Sequence, residues 1–234
     1  MELILIVFIV TCYPLSIFFD TSVYNLKFLL NKNSDVRYWM STVQVFQYAA
    51  RIFMVIFIPG ISLLTEITGD LFKVHILSII IHFNTSILLL FCLFSFSKLN
   101  RLNLFLISII KMFTGGGDVN EGFKKKNISL NFSLALFKNK IFIASYFSQL
   151  LVGISMTYVY IFSFYFKDRI LTLNSMTQII NMVAISVLLV AVDPRIMSSF
   201  DSENHGSDGL KIIFISRSLA HMSVALLFLF LMWF

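Results

Sequence analysis

Six times the chain runs for about twenty residues through apolar side chains with scarcely a charge, and nothing else in it limits the fold as strongly. A run of that length, coiled as an α-helix, matches the hydrocarbon thickness of a bilayer. The runs cover residues 2–19, 38–63, 73–96, 141–166, 170–192 and 210–233. The expected fold is therefore all-α: an integral membrane protein with six transmembrane helices, forming a single polytopic domain over residues 1–234. Only 13% of the residues are charged, against about 25% in a soluble domain, so no sizeable soluble domain is expected beside the spans. The first run has no basic residues ahead of it and no small-residue cleavage site behind it, so it reads as a span and not as a leader peptide.

The fifth run differs from the others. Its first half carries Thr172, Asn174, Ser175, Thr177, Gln178 and Asn181; its second half, Val187 to Val192, is wholly apolar and meets Asp193-Pro194. A helix that only anchors has no use for so many amides and hydroxyls, because each needs a partner away from lipid. Proline removes a helical hydrogen bond and disfavours helical geometry in the residue before it, so the span is expected to stop there.

One long connection, residues 97–140, separates the third and fourth runs. Within it Leu102, Phe105, Leu106, Ile109, Ile110 and Phe113 recur at helical spacing, which predicts a short amphipathic helix lying in the interface. Gly115-Gly116-Gly117 ends it and Lys124-Lys125-Lys126 follows as an electrostatic contact for anionic lipid. Of the eighteen Lys and Arg residues, thirteen fall in loops on one side of the spans and three on the other. That bias predicts a cytoplasmic long loop and both termini outside. The net charge of +6 therefore reads as orientation and contact with anionic lipids at the cytoplasmic face, not as a nucleic-acid surface.

Arg51 and Arg217 are the two cations inside spans. A guanidinium in hydrocarbon costs about 2.5–3.5 kcal/mol on insertion scales, so each requires a reason. One is a water-filled cavity that binds an anion, since the planar guanidinium donates two hydrogen bonds at once to a phosphate. The other is pairing with a helix-end carboxylate such as Asp20 or Asp193, or snorkelling to the interface. His221 lies four residues after Arg217 and shares its face. His75 and His82 lie near one face of the third run, His75 toward the interface and His82 beside Asn84, Thr85 and Ser86. Asp20, Asp193 and Asp201 mark helix ends and could gate a cavity, as could Arg169 at the opposite corner. Neither the histidines nor the two cysteines, Cys12 and Cys92, show metal-ligand spacing, and no serine-hydrolase elbow, phosphate loop or HExxH occurs. No metal or other cofactor is implied.

The order Asp20-Thr21, Tyr24, Ala50-Arg51, Pro59, then Arg169, Thr172, Ser175, Asn181, Asp193-Pro194, Asp201 and Ser216-Arg217 resembles the Amj family, the alternates to MurJ that flip lipid II in bacteria. The likeness spans most of the chain apart from the long loop. It implies a flippase for undecaprenyl-pyrophosphate-linked saccharide in the bacterial inner membrane, serving peptidoglycan synthesis. Arg51 and Arg217 would hold the pyrophosphate in a cationic cavity, and Asn181, Gln178, Thr177 and His221 would complete the substrate site. Met54, Phe57, Met182 and Ala50 stand where the family has Asn, Gln, Gly and Ser. That loss of polarity implies another lipid-linked sugar, such as an O-antigen or capsule unit. Two further readings stand beside it: a membrane-embedded enzyme acting on polyprenyl phosphates, which would use Asp20, Asp193 and Asp201 with a metal, and a structural subunit. Whether six helices suffice or a homodimer forms is left open.

Overall fold

The computed structural model describes residues 2–30, 36–114, 119–123, 134–201 and 206–233, and these are almost wholly helical. Six helices are long and apolar enough to cross a membrane, as an all-α, multi-pass membrane protein requires. They are α1 (Glu2–Leu29), α2 (Val36–Thr68), α3 (Leu71–Phe94), α6 (Lys140–Tyr165), a composite of α7 (Ile170–Val187) and α8 (Asp193–Asp201), and α9 (Gly206–Leu231). Helices α4 (Phe96–Thr114) and α5 (Val119–Gly122) fall in the long connection. The turn from α2 to α3 uses Gly69 at φ +53°, a conformation other residues resist, and Asp70 then caps α3 by accepting from the backbone N–H groups of Phe72 and Lys73.

Helix α9 is the centre of the bundle. Of its apolar window 61% is buried, against 11% for the α7–α8 span. It packs on α3, α6, α8 and α1, while α2 covers α1 and α7 covers α6. Small hydroxyl residues join these helices: Ser216 donates to Ser145 at 2.7 Å, Ser148 to the Ala184 carbonyl at 2.6 Å, Ser16 to the Ala50 carbonyl at 2.8 Å, and Ser86 meets Ser218 at 2.9 Å. Between membrane helices, hydrophobic transfer no longer drives association. Close approach of small residues and bonds of this kind, about 0.6 kcal/mol each, take its place.

Two expected helix ends move. Helix α1 does not stop at Asp20-Thr21 but continues to Leu29, because Thr21, Ser22, Tyr24 and Asn25 are buried against neighbouring helices instead of meeting water. The fifth span passes through Asp193-Pro194 and runs on to Asp201. A π-helical turn, Leu188–Val192, precedes the proline, with the Asp193 N–H bonded five residues back to the Leu188 carbonyl. The wider turn relieves the clash that a proline ring makes with a carbonyl one α-turn earlier, so Asp193 keeps helical φ and ψ (−55°, −48°).

Helix α4 forms, and it packs on α3, α1 and α2. Its buried stripe is Phe96, Leu99, Asn103 and Ile107; of the apolar face predicted from spacing, Leu102, Phe105 and Ile109 are turned outward, while Leu106 and Ile110 pack partly buried on the core. Gly115 to Gly117 and Lys124 to Lys126 lie outside the described residues, as does the side chain of Phe113. Beyond α4, Phe123 packs its ring on Trp39, and at Gly122 a Cβ would sit 2.2 Å from Trp39 Cε2, so the close approach demands glycine.

Candidate functional site

A cavity of about 380 Å³ lies within the span bundle. Its back wall comes from α1 (Ser16, Ile17, Asp20, Tyr24), α6 (Gln149, Val152, Met156) and Arg217 of α9. Gln47, Ala50, Arg51 and Met54 of α2 form one side; Asn181, Ile185, Leu188 and Leu189 form the other, with Asp193 beneath. The two sides do not pack extensively on each other, and Arg51 and Leu189, which line the cavity from either side, are exposed, so the cavity is open between α2 and the α7–α8 span.

Arg217 sits about three turns into α9 and is 1% exposed, far from snorkelling distance. Its Nη1 donates to Asp20 Oδ2 at 2.6 Å and to Thr21 Oγ1 at 3.0 Å, and the guanidinium lies over the Tyr24 ring, 5.0 Å from its centroid. Tyr24 in turn donates its hydroxyl to Asp193 Oδ1. The buried Nε–H of Arg217 has no partner. Thus the extension of α1 past Asp20 is what supplies the counterion: one turn of α1 presents Asp20, Thr21 and Tyr24 together to α9. Arg51, by contrast, makes no ion pair among the described residues; it packs over the Tyr48 ring at 5.6 Å. Two arginines and two aspartates line the space, so it is charge-balanced and not cationic. The reason is physical: a guanidinium this deep in a membrane protein needs a counterion.

Asn181 is held by α6, where Ser155 donates to its Oδ1, while its Nδ2 lies 3.9 Å from Met156 Sδ. Asn181, Ile185, Leu188 and Leu189 form the inward stripe of α7 and its π turn. Thr177 lies one turn before that stripe and its hydroxyl returns to the Leu173 carbonyl at 3.1 Å. Gln178 is exposed on the outer side. Neither reaches the cavity, because only one stripe of a helix on the bundle's edge can face inward. Arg169 ends the short 3₁₀ turn before α7, exposed and away from the cavity. Asp201 ends α8, and its side chain lies outside the described residues. Asp20 and Asp193 are interior to continuous helices and not at helix ends. Among the described residues no three of His, Cys, Asp and Glu form a group able to hold a metal ion.

His221 does not line the cavity. It is fully buried, with its Nδ1 3.0 Å from His82 Nδ1 and its Nε2 3.2 Å from Nε2 of Gln149, which does line it. His75 is buried near the start of α3, two turns from His82. Sequence reasoning passed over Gln149 and Gln47. The signal for Gln149 was the set Ser145, Ser148, Gln149, Gly153 and Thr157 in the fourth run, polar or small at three- and four-residue steps.

Comparison of the chain with protein-family models, with curated proteins and with solved structures returns no match.

Proposed function

We propose that the chain is a transporter that moves a lipid with a phosphorylated headgroup across the bacterial inner membrane, its cargo an undecaprenyl-pyrophosphate-linked saccharide for peptidoglycan, O-antigen or capsule synthesis. The observation that carries this reading is the opening, between two membrane-spanning helices, of a cavity that holds two arginines, two aspartates and three amides in a largely apolar lining, with Arg51 making no ion pair among the described residues. A headgroup enters such a space while its prenyl tail stays in lipid. Arg51 meets the pyrophosphate first, by a charge-assisted forked pair. The amide hydrogen of Asn181 that is not directed at Met156 donates beside it, and the unpartnered Nε–H of Arg217 takes the second phosphate once Asp20 yields. The volume is at the small end of the range for ligand sites, about 300–1,000 Å³, so it suits the phosphates and the sugar next to them; a longer saccharide needs the cavity to widen during the transport cycle. The Lys/Arg bias supports an orientation with the long loop in the cytoplasm and both termini outside.

Complementation tests this directly: the chain is expressed in a bacterium whose essential lipid II flippases are depleted. Rescue of growth is expected, with Arg51→Ala losing it and Arg51→Lys retaining part. A hydrogen bond to a charged group contributes about 1.5–3 kcal/mol, so Arg51→Ala weakens headgroup binding about 10- to 100-fold. Full rescue by Arg51→Ala at equal membrane level would remove Arg51 from the site. Failure by the wild type here and in an O-antigen flippase deletion would remove the transport reading. One observation favours the enzyme instead: Asp20 and Asp193 line the same cavity. Purified protein given labelled lipid-linked substrate returns it chemically unchanged if it is a transporter and yields product if it is an enzyme.

A further inference from the structure

We infer that the His82–His221 pair binds the proton that accompanies an anionic headgroup into the cavity, and that Gln149 connects the two events. The inference rests on the transport reading above.

The hydrogen bonds admit one assignment with both rings neutral. Thr157 gives its hydroxyl hydrogen to the Gly153 carbonyl at 3.0 Å, so toward His82 it can only accept. His82 therefore carries its hydrogen on Nε2 and donates to Thr157 Oγ1 at 3.3 Å. Its Nδ1 is then an acceptor, and His221 donates to it from Nδ1 at 3.0 Å. That leaves His221 Nε2 an acceptor, matched by the Nε2–H of Gln149 at 3.2 Å. Gln149 thus turns its carbonyl oxygen toward the cavity it lines, an acceptor that repels phosphate.

One added proton reverses this, whichever ring holds the charge. If His221 is the imidazolium, its Nε2 carries a hydrogen. If His82 is, its Nδ1 now donates to His221 Nδ1, and the His221 hydrogen moves to Nε2. In both cases Gln149 must present its oxygen to His221 and swing its amide N–H₂ into the cavity, where a phosphate accepts from it. Proton and anion therefore favour each other through one amide, and by reciprocity each raises affinity for the other.

The surroundings allow it. At Gly153 a Cβ would lie in ordinary contact with the pair, 3.4 Å from His82 Cε1 and 3.6 Å from His221 Nδ1, so α6 runs directly against both imidazoles. The Tyr13 ring of α1 stands nearly perpendicular to both imidazoles, with centroids 5.2 and 5.7 Å away. The charged and titratable groups facing the pair are few. Arg217 lies one turn away on α9, with Asp20 and Tyr24 beyond it on α1, and His75 lies two turns away on α3. From α6 come the neutral Gln149 and Thr157 and the phenol of Tyr146, bonded to Ser223; Arg51 and Asp193 stand on the cavity's far walls.

The test uses the full chain in lipid nanodiscs with undecaprenyl pyrophosphate as probe, from about pH 5.5 to pH 8, where an imidazole ordinarily titrates. Binding is expected to weaken as pH rises, by up to tenfold per unit, and to lose that dependence in His82→Gln/His221→Gln. The lipid's own last ionisation, near pH ~6, works in the opposite direction and does not imitate the effect. Because the double variant removes a buried pair, the wild type supplies a second readout. Histidine ¹⁵N spectra at neutral pH should show hydrogens on His82 Nε2 and His221 Nδ1 alone, and one imidazolium after lipid is added. Binding that strengthens or stays flat as pH rises while both rings remain neutral would overturn the coupling and leave the transport reading intact. No binding at any pH would overturn both.

Discussion

Replacing Asp20 by Ala should cost the protein about 3–5 kcal/mol, more than replacing Arg217 by Met, although Asp20 is the more exposed partner of the pair. The two members of this ion pair differ in what their loss leaves behind. Arg217 is 1% exposed and three turns from its helix start, so without Asp20 a guanidinium remains buried with one hydroxyl, one aromatic ring and the more distant Asp193 for company. The Asp20 side chain is 41% exposed and faces the cavity, so without Arg217 it meets whatever fills that space. Methionine fills the arginine's volume with no charge to desolvate, and breaking a buried pair is costly mainly through the ion left over. Asp20→Asn combined with Arg217→Met should recover most of the loss of the aspartate variant. Reversible unfolding of the full chain in mixed micelles measures all of these. The reverse order, with Arg217→Met the more damaging, would mean that Arg217 reaches water through the cavity and that Asp20 is not its counterion.

Gly153→Leu should cost about 1–3 kcal/mol by overpacking and move the histidine pair apart. Helix α6 approaches α3 and α9 at this point so closely that even a Cβ lies 3.0 Å from Val224 Cγ2. Alanine needs the valine to give by a few tenths of an ångström, whereas the branched end of leucine has nowhere to go but the imidazoles. The unfolding measurement reads the first effect and the histidine ¹⁵N spectrum reads the second: the Nδ1–H of His221 loses its acceptor and its signal shifts. A leucine variant as stable as the wild type, with an unchanged spectrum, would show that α6 does not meet α3 and α9 there.

The six spans are legible in the sequence because burying a backbone in hydrocarbon demands helix, and the apolar runs mark where that happens. Asp20 and Pro194 both looked like ends for a sound local reason, and both lie inside helices. Asp20 is carried past by the buried run Thr21 to Asn25, and Pro194 by the π turn at Leu188–Val192. Neither compensation has a local signature. In the loop, the spacing of Leu102, Phe105 and Ile109 placed a helix correctly; which residues of it pack on protein is not in the spacing, since an apolar stripe is content against lipid as well as against protein.

The same division holds at the cavity. Arg51, Arg217, Asn181, Asp20 and Asp193 stand out in the chain because polar groups inside spans are expensive, and all five line one space. Their meeting follows from how the helices turn about their axes. In the fifth span the polar residues are spread over more than one face, so no single stripe shows which face is inward, and Gln178 and Thr177 looked as suited to the site as Asn181 and fell outside it. The pairing of Arg217 with Asp20 and of His221 with His82 joins residues far apart in the chain. Hydropathy, a property of each segment alone, commits this chain to six membrane helices; which polar side chains share a counterion, a proton or a cavity depends on contacts between segments, and so was decided by packing.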